Sequence, residues 1–158
     1  MADVAAEFWR FSLAVYGKPG VASACLLLQD QFGHDINLAL YCGWLGASGR
    51  GRLTRAAVDA ADRAVAPWRH QVVEHLRTAR RAIKEAALSG GDNLYAKAKA
   101  IELEAERVLQ SRLAELAPPA DPSLSGKERL AAAIANLTLY IGDAPAEPIH
   151  AALTALVA

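Results

Sequence analysis

Residues 36–47 read INLALYCGWLGA, a run in which Asn37 alone is strongly polar. A helix that is apolar on nearly every side has no face to show to water, so the rest of the chain must be built around it. Asp35, just before the run, is placed to cap its first turn. The surroundings are helical by composition as well. Hydrophobic residues make up 53% of the 158 residues, with alanine and leucine prominent among them, and that pairing favours helix over strand. A chain of this length buries about two-thirds of the surface it exposes when unfolded, enough for one domain without disulfides.

The flanking segments carry helical periodicity with clear stops. Val4, Phe8, Phe11 and Val15 stripe a first helix from about Ala5 to Tyr16, ended by Gly17 and Pro19. Pro19 is suited to open a second helix striped by Val21, Cys25, Leu28 and Phe32 and closed by Gly33. After the polar turn SGRGR, residues 48–52, Thr54 caps a fourth helix with Leu53 stapled onto Val58. Pro67 either kinks that helix or begins a fifth, whose apolar stripe is Val72, Leu76, Ala79, Ile83 and Ala87. Ser89, Gly90 and Gly91 end it, and Asp92 caps a sixth, so about 67–88 and 92–116 form a long antiparallel hairpin. The segment 117–126, APPADPSLSG, separates helices rather than domains. Ser125 and Glu128 make a capping box for a seventh helix striped by Leu130, Ile134, Leu137 and Ile141, and a short last helix begins near Pro148. The expectation is an all-α fold, a single compact bundle of about seven to eight helices spanning 1–158 as one domain.

Three stretches, FWRFSLAVYGKPGVASACLLLQDQFGHDINLALYCGWL, APWRHQVVEHLRTARRAIK and YAKAKAIELEAERVLQ, resemble a family of uncharacterised bacterial proteins of similar length, catalogued as a domain of unknown function. They cover most of the chain outside its C-terminal third. The resemblance implies an all-helical bacterial protein. It brings no activity, cofactor or catalytic residue with it.

Composition narrows the function classes. Seventeen basic residues balance seventeen acidic ones, so no global field draws the chain to nucleic acid or to an anionic membrane surface. The start MADVAAEFWRF lacks the basic region and apolar core of a signal peptide, and Gln29, Asp30, His34 and Asp35 break the richest apolar region before it reaches membrane-spanning length. A soluble, cytoplasmic protein is expected by default. Cys25 and Cys42 lie in apolar runs without CxxC spacing and read as buried reduced thiols.

Gln29, Asp30, Asp35 and Asn37 form a polar knot between the two most apolar helices. Asp35 is explained as a cap, but Asp30 lies in the last turn of its helix, where the macrodipole disfavours a carboxylate by about 0.3–1 kcal/mol. The plain reading is an intramolecular arginine, with Arg10, Arg50, Arg52 and Arg69 as candidates. The alternative is a pocket for a small molecule or a partner's side chain, with Gln29, Asp30, Asn37 and Trp44 as ligand-binding candidates and Trp9, Tyr16 and Tyr41 nearby in sequence.

A basic stripe, Arg69, Arg77, Arg80, Arg81 and Lys84, shares one face of the fifth helix opposite its apolar stripe. Such a stripe suits phosphates, yet Glu102, Glu104 and Glu106 on the facing helix offer counter-charges, and aromatics for base stacking are missing. An ion-paired or solvated face is the plainer reading. His70 with Glu74, and Glu147 with His150, have metal-ligand spacing, but a bundle di-iron site needs its motif twice; no metal and no cofactor are expected. GxSxG, GxGxxG and P-loop motifs are absent, and neither cysteine has a base beside it in sequence.

These observations point away from an enzyme and toward a cytoplasmic interaction or adaptor protein that contacts a protein partner or itself, a homodimer through the fifth and sixth helices being the specific form. A small-molecule-binding protein or unrecognised enzyme using Gln29, Asp30 and Asn37 is the alternative. RNA or ribosome association through the basic face comes last.

Overall fold

The computed structural model describes residues 3–157. Among them the chain forms eight α-helices, one π-helical turn and no strand: α1 Val4–Tyr16, α2 Val21–Asp30, α3 Ile36–Ala47, α4 Arg55–Trp68, the π turn Arg69–Val73, α5 Glu74–Ala86, α6 Gly91–Ala114, α7 Gly126–Ile141 and α8 Glu147–Val157. The all-helical bundle expected from periodicity is the fold observed. No single helix among the described residues is long and apolar enough to cross a membrane.

α3 occupies the centre. Every residue from Asn37 to Gly46 is buried. Its closest neighbour is α7, and Gly46 explains how close. A Cβ built there would stand 2.1 Å from the Ala133 backbone nitrogen, so only hydrogen lets the two backbones meet. Asp35 caps α3 as expected, accepting from the Asn37 and Leu38 amides at 2.8 and 3.2 Å. Around α3, one core cluster takes side chains from α1, α2, α4, α6, α7 and α8, among them Phe8, Leu28, Val65, Leu109, Leu137 and Leu153. Each such side chain contributes about 1.5–3 kcal/mol by leaving water.

The SGRGR turn is clamped rather than loose. The Arg50 guanidinium donates to the Pro118 carbonyl and to Glu7 at 2.8 and 3.1 Å and lies 4.8 Å from the Trp44 ring centre. Asn136 of α7 accepts from the Leu53 amide and donates to the Gly51 carbonyl. The 117–126 segment therefore packs against this turn, with the Asp121 amide donating to the Gly49 carbonyl at 2.8 Å. Thr54 and the Ser125–Glu128 capping box occupy their expected positions.

Four local expectations are corrected. Pro19 does not open α2; the helix starts at Val21 after Gly20, whose φ of +76° makes the turn. Gly90, also left-handed, precedes α6, and Asp92 lies in its first turn instead of capping it. Pro67 lies inside α4 and does not begin the hairpin, whose arms are Glu74–Ala86 and Gly91–Ala114, so of the two roles expected of it the disturbance within a helix is the one that fits. Proline has no N–H to give the preceding turn, and just beyond it the ladder widens, the Glu74 amide bonding to the Arg69 carbonyl. One extra residue in the turn changes the phase of everything after it. In an unbroken helix Val65 and Val73 would lie about 80° apart, and the insertion brings them to about 20°. Both are then buried. The same shift corrects the expected stripe in part: Val73 becomes the buried residue, Val72 and Leu76 still pack against the core while only partly buried, and Ala79 and Ala87 are exposed.

A candidate binding cleft between two helical pairs

α1 and α2 face the α5–α6 hairpin across a cleft floored by the first turns of α3. A cavity of about 310 Å³ lies toward α1 and α6, with Trp9, Leu13, Tyr16, Leu26 and Leu103 in its walls. A second, of about 290 Å³, lies at the π turn, with His34, Asp62, Arg69, His70 and Tyr140 around it. Gln29, Ile36, Asn37 and Arg77 line both, so the cavities stand back to back across these four side chains. The first chamber is apolar at its lips, and the second is mostly polar, with Ile36, Val73 and Leu109 as its apolar lining.

Asn37 is held from behind by a buried relay. The Ser12 hydroxyl donates to Gln110 Oε1 at 3.0 Å, and Gln110 Nε2 donates to Asn37 Oδ1 at 2.9 Å. Buried amides that satisfy one another in this way fix each other's orientation. The Asn37 NH₂ has no acceptor among the described residues and remains available to the chambers it lines.

Charges are paired across the cleft. Arg80 bonds Glu102 through two nitrogens, and Arg77 reaches Glu102 and Glu106 at 3.3 Å each. Glu102 is almost fully buried, which is tolerable because both arginines serve it. Burial raises the Glu106 pKa, with Arg77 opposing that shift and Glu102 adding to it. At the second chamber Arg69 donates to Asp35 and Asp62 at 2.8 Å each. Burial works to lower the Arg69 pKa, but the two carboxylates outweigh it and the net shift is upward. The Tyr140 hydroxyl accepts the Asp35 amide at 2.8 Å, and burial pushes its pKa to about 12.

The structure divides the expected polar knot. Gln29 and Asn37 do line the cleft, whereas Asp30 and Trp44 line neither chamber. Asp30 is exposed and its partner is Arg81 at 3.2 Å, none of the four arginines expected; Arg50 is taken by Glu7 and Arg69 by Asp35. The Arg81 hydrogen bond holds the Asp30 carboxyl below its ordinary pKa. Trp44 is a core side chain stacked on Phe8, its indole N–H donating to Glu7. The basic stripe is likewise not one free face. Arg69, Arg77, Arg80 and Arg81 all end in carboxylates, and Lys84 lies over the Tyr95 ring. Glu102 and Glu106 are the counter-charges; Glu104 is exposed on another side of α6. Cys25 lines the first chamber, and burial raises its thiol to about 11, which keeps it protonated. No group of three or more potential metal ligands converges among the described residues.

The matched family covers these same walls. Its model, described as a protein of unknown function, DUF2390, matches residues 7–113, which is α1 through nearly all of α6. The chain belongs to the DUF2390 family. Comparison with the curated proteins and with the solved structures gives no match. The matched stretch contains Ser12, Gln29, Asn37, Arg77, Glu102 and Gln110, so the relay and the Arg–Glu pairs of the DUF2390 cleft lie inside it, while Tyr140 lies outside.

Ser12, Gln110 and Tyr140 were not among the sequence candidates. A signal for two of them exists. Ser12 falls between Phe8 and Val15 on the apolar face of α1, and Gln110 sits beside Leu109 and ahead of Leu113. A polar residue in the register of a core stripe calls for a partner, and these two are each other's.

Proposed function

We propose that this chain is a non-enzymatic interaction protein of the cytoplasm that holds a segment of a partner protein in the cleft between α1–α2 and α5–α6. The observation that carries the reading is the set of lips: Leu13, Tyr16, Leu26 and Leu103 are each 49–53% exposed and all border one cavity. Isolated exposed leucines need no explanation, but several around one groove form a surface that water wets poorly. An amphipathic helix laid along the groove covers such lips with apolar residues at helical spacing. Its polar content follows from charge. Arg77, Arg80 and Arg81 are paired with Glu102, Glu106 and Asp30, so Lys99, in the same wall and without an ion-pair partner among the described residues, is the cation that favours an acidic residue in the bound segment.

The paired state of the arginines weighs against RNA as the occupant, since each phosphate contact would first break an internal ion pair. The protonated Cys25 thiol weighs against a nucleophilic enzyme. The test is site-specific photocrosslinking from Leu26 and Leu103 in the producing cells. An adduct to one defined acidic, amphipathic segment, lost when Leu13 is changed to Arg, supports the reading; adducts to RNA, or none above background at either position, refute it.

A second reading has its own observation. The unpartnered Asn37 NH₂ faces a polar chamber of about 290 Å³ beside a π turn, a kind of helix irregularity frequent at functional sites. A small molecule that co-purifies with the chain and is lost in Asn37→Ala would favour it.

A further inference from the structure

α6 presents a second apolar line on the side away from the cleft. Leu94, Ile101 and Val108 recur every seven residues and are 55%, 54% and 48% exposed. A spacing of seven stacks side chains along one line with only about 20° of drift per step, so the three follow one another at about 10.5 Å intervals. Trp68, 38% exposed, is held beside the line by its indole N–H, which donates to the Ala105 carbonyl at 2.9 Å. Leu103, at the cleft lip, is two residues beyond Ile101 and so about 200° around the helix. The two surfaces are therefore separate. Among the described residues nothing closes over the line, and an ordinary amphipathic helix would place polar residues there.

We infer that a second copy of this chain covers it, with α6 packed antiparallel on α6 about a twofold axis at Ile101. Charge selects both the occupant and the orientation. Lys97 and Glu104 flank the line on the same side, each three residues after an apolar member, and both are exposed with no ion-pair partner among the described residues. Lys97 lies four residues before Ile101 and Glu104 three after, at nearly equal distances from the axis. In the antiparallel pair each Lys97 meets the Glu104 of the second copy, twice by symmetry, and each Leu94 meets Val108. In a parallel pair the twofold axis would run along the helices and carry the Lys97 and Glu104 flanks of the two copies to opposite sides of the seam, so neither charge would meet its opposite. The seven-residue spacing keeps the apolar line straight along α6, and Ile101 packs on its own symmetry mate at the centre. This dimer leaves both clefts open and facing away from the interface.

The test is sedimentation velocity of the full chain across a wide concentration range. The wild type forms a reversible dimer. Ile101→Glu, a change at an exposed position that leaves the fold intact by circular dichroism, raises the dissociation constant by at least about tenfold. Lys97→Glu and Glu104→Lys each weaken the dimer, and the double exchange restores it, as swapped charges must in an antiparallel pair. A wild type monomeric at every concentration overturns the inference, and so does a dimer unaffected by Ile101→Glu. Failure of the double exchange to restore association overturns the antiparallel arrangement.

Discussion

The contact of α3 with α7 and the α5–α6 hairpin are both antiparallel helical packings, but they are held by different physics. α3 is buried for ten consecutive residues and meets α7 through a glycine that leaves room for nothing else. α5 buries no residue at all, and its link to α6 runs through Arg77, Arg80 and the almost fully buried Glu102. The first is fixed by steric fit and tolerates no addition. The second is fixed by a few charges and leaves apolar side chains facing outward. The part of the molecule with spare surface is the part that lines the cleft.

The largest effect should come from filling the glycine. Gly46→Ala drives a methyl into the α7 backbone and is expected to cost about 3 kcal/mol or more in urea unfolding. Gly91→Ala, at the start of α6 with open space around it, should change stability by less than about 1 kcal/mol, in the stabilising direction. Equal effects at the two sites would erase the contrast between the regions.

Removing a charge should break the hairpin where removing bulk would not. Glu102→Gln leaves Arg77 and Arg80 facing a neutral amide in a site that is largely closed, at an expected cost of about 2–4 kcal/mol. Hydrogen exchange should then quicken first in the α5 amides while α3 stays protected. Uniform quickening in both regions would mean that the hairpin does not open on its own.

The relay joins the two regions, since Asn37 belongs to α3 and Gln110 to α6. Gln110→Ala strands Ser12 and Asn37 and should cost about 1–3 kcal/mol. Asn37→Ala should cost a similar amount, and the double variant less than the sum of the two, as partners in one network do.

The smallest effect is expected at Asp30. Its pair with Arg81 is 42% exposed on both sides, so Asp30→Asn should cost no more than about 1 kcal/mol. The sign with pH is fixed by the lowered pKa. Because the folded value lies below the unfolded one, near 4, the contribution is present above that pH and fades as pH falls through the folded pKa. Glu106 runs the other way: its raised pKa makes its contribution fullest below the unfolded value and lost as pH rises through the folded one. Acid titration of stability in Asp30→Asn and Glu106→Gln should therefore diverge in opposite directions from wild type.

Much of the fold was legible because helix periodicity and caps are local signals. INLALYCGWLGA declared its own burial, and Asp35, Thr54 and Ser125 marked their helix starts. The π turn was not legible, because Pro67 signals a disturbance without saying whether the helix breaks, bends or gains a residue. That one residue put Val73 in the core and left Val72 and Leu76 only partly buried against it. Of the candidate site, Gln29 and Asn37 were visible as polar residues among apolar ones. Their convergence with Arg77 was not, because it depends on how four helices close. Asp30 does stand in the last turn of α2, and an intramolecular arginine does answer it, but that arginine is Arg81 of α5, which only the closing of the helices brings near.

The most direct test of the cleft is native mass spectrometry of the full chain, purified gently from the producing cells, beside Leu26→Arg on the lip and Ile101→Glu on the far side of α6. The account predicts a bound polypeptide other than a second copy of the chain on the wild type, retained by Ile101→Glu and lost by Leu26→Arg. Such a polypeptide staying on Leu26→Arg, or a wild type carrying nothing but a second copy of itself, would contradict it.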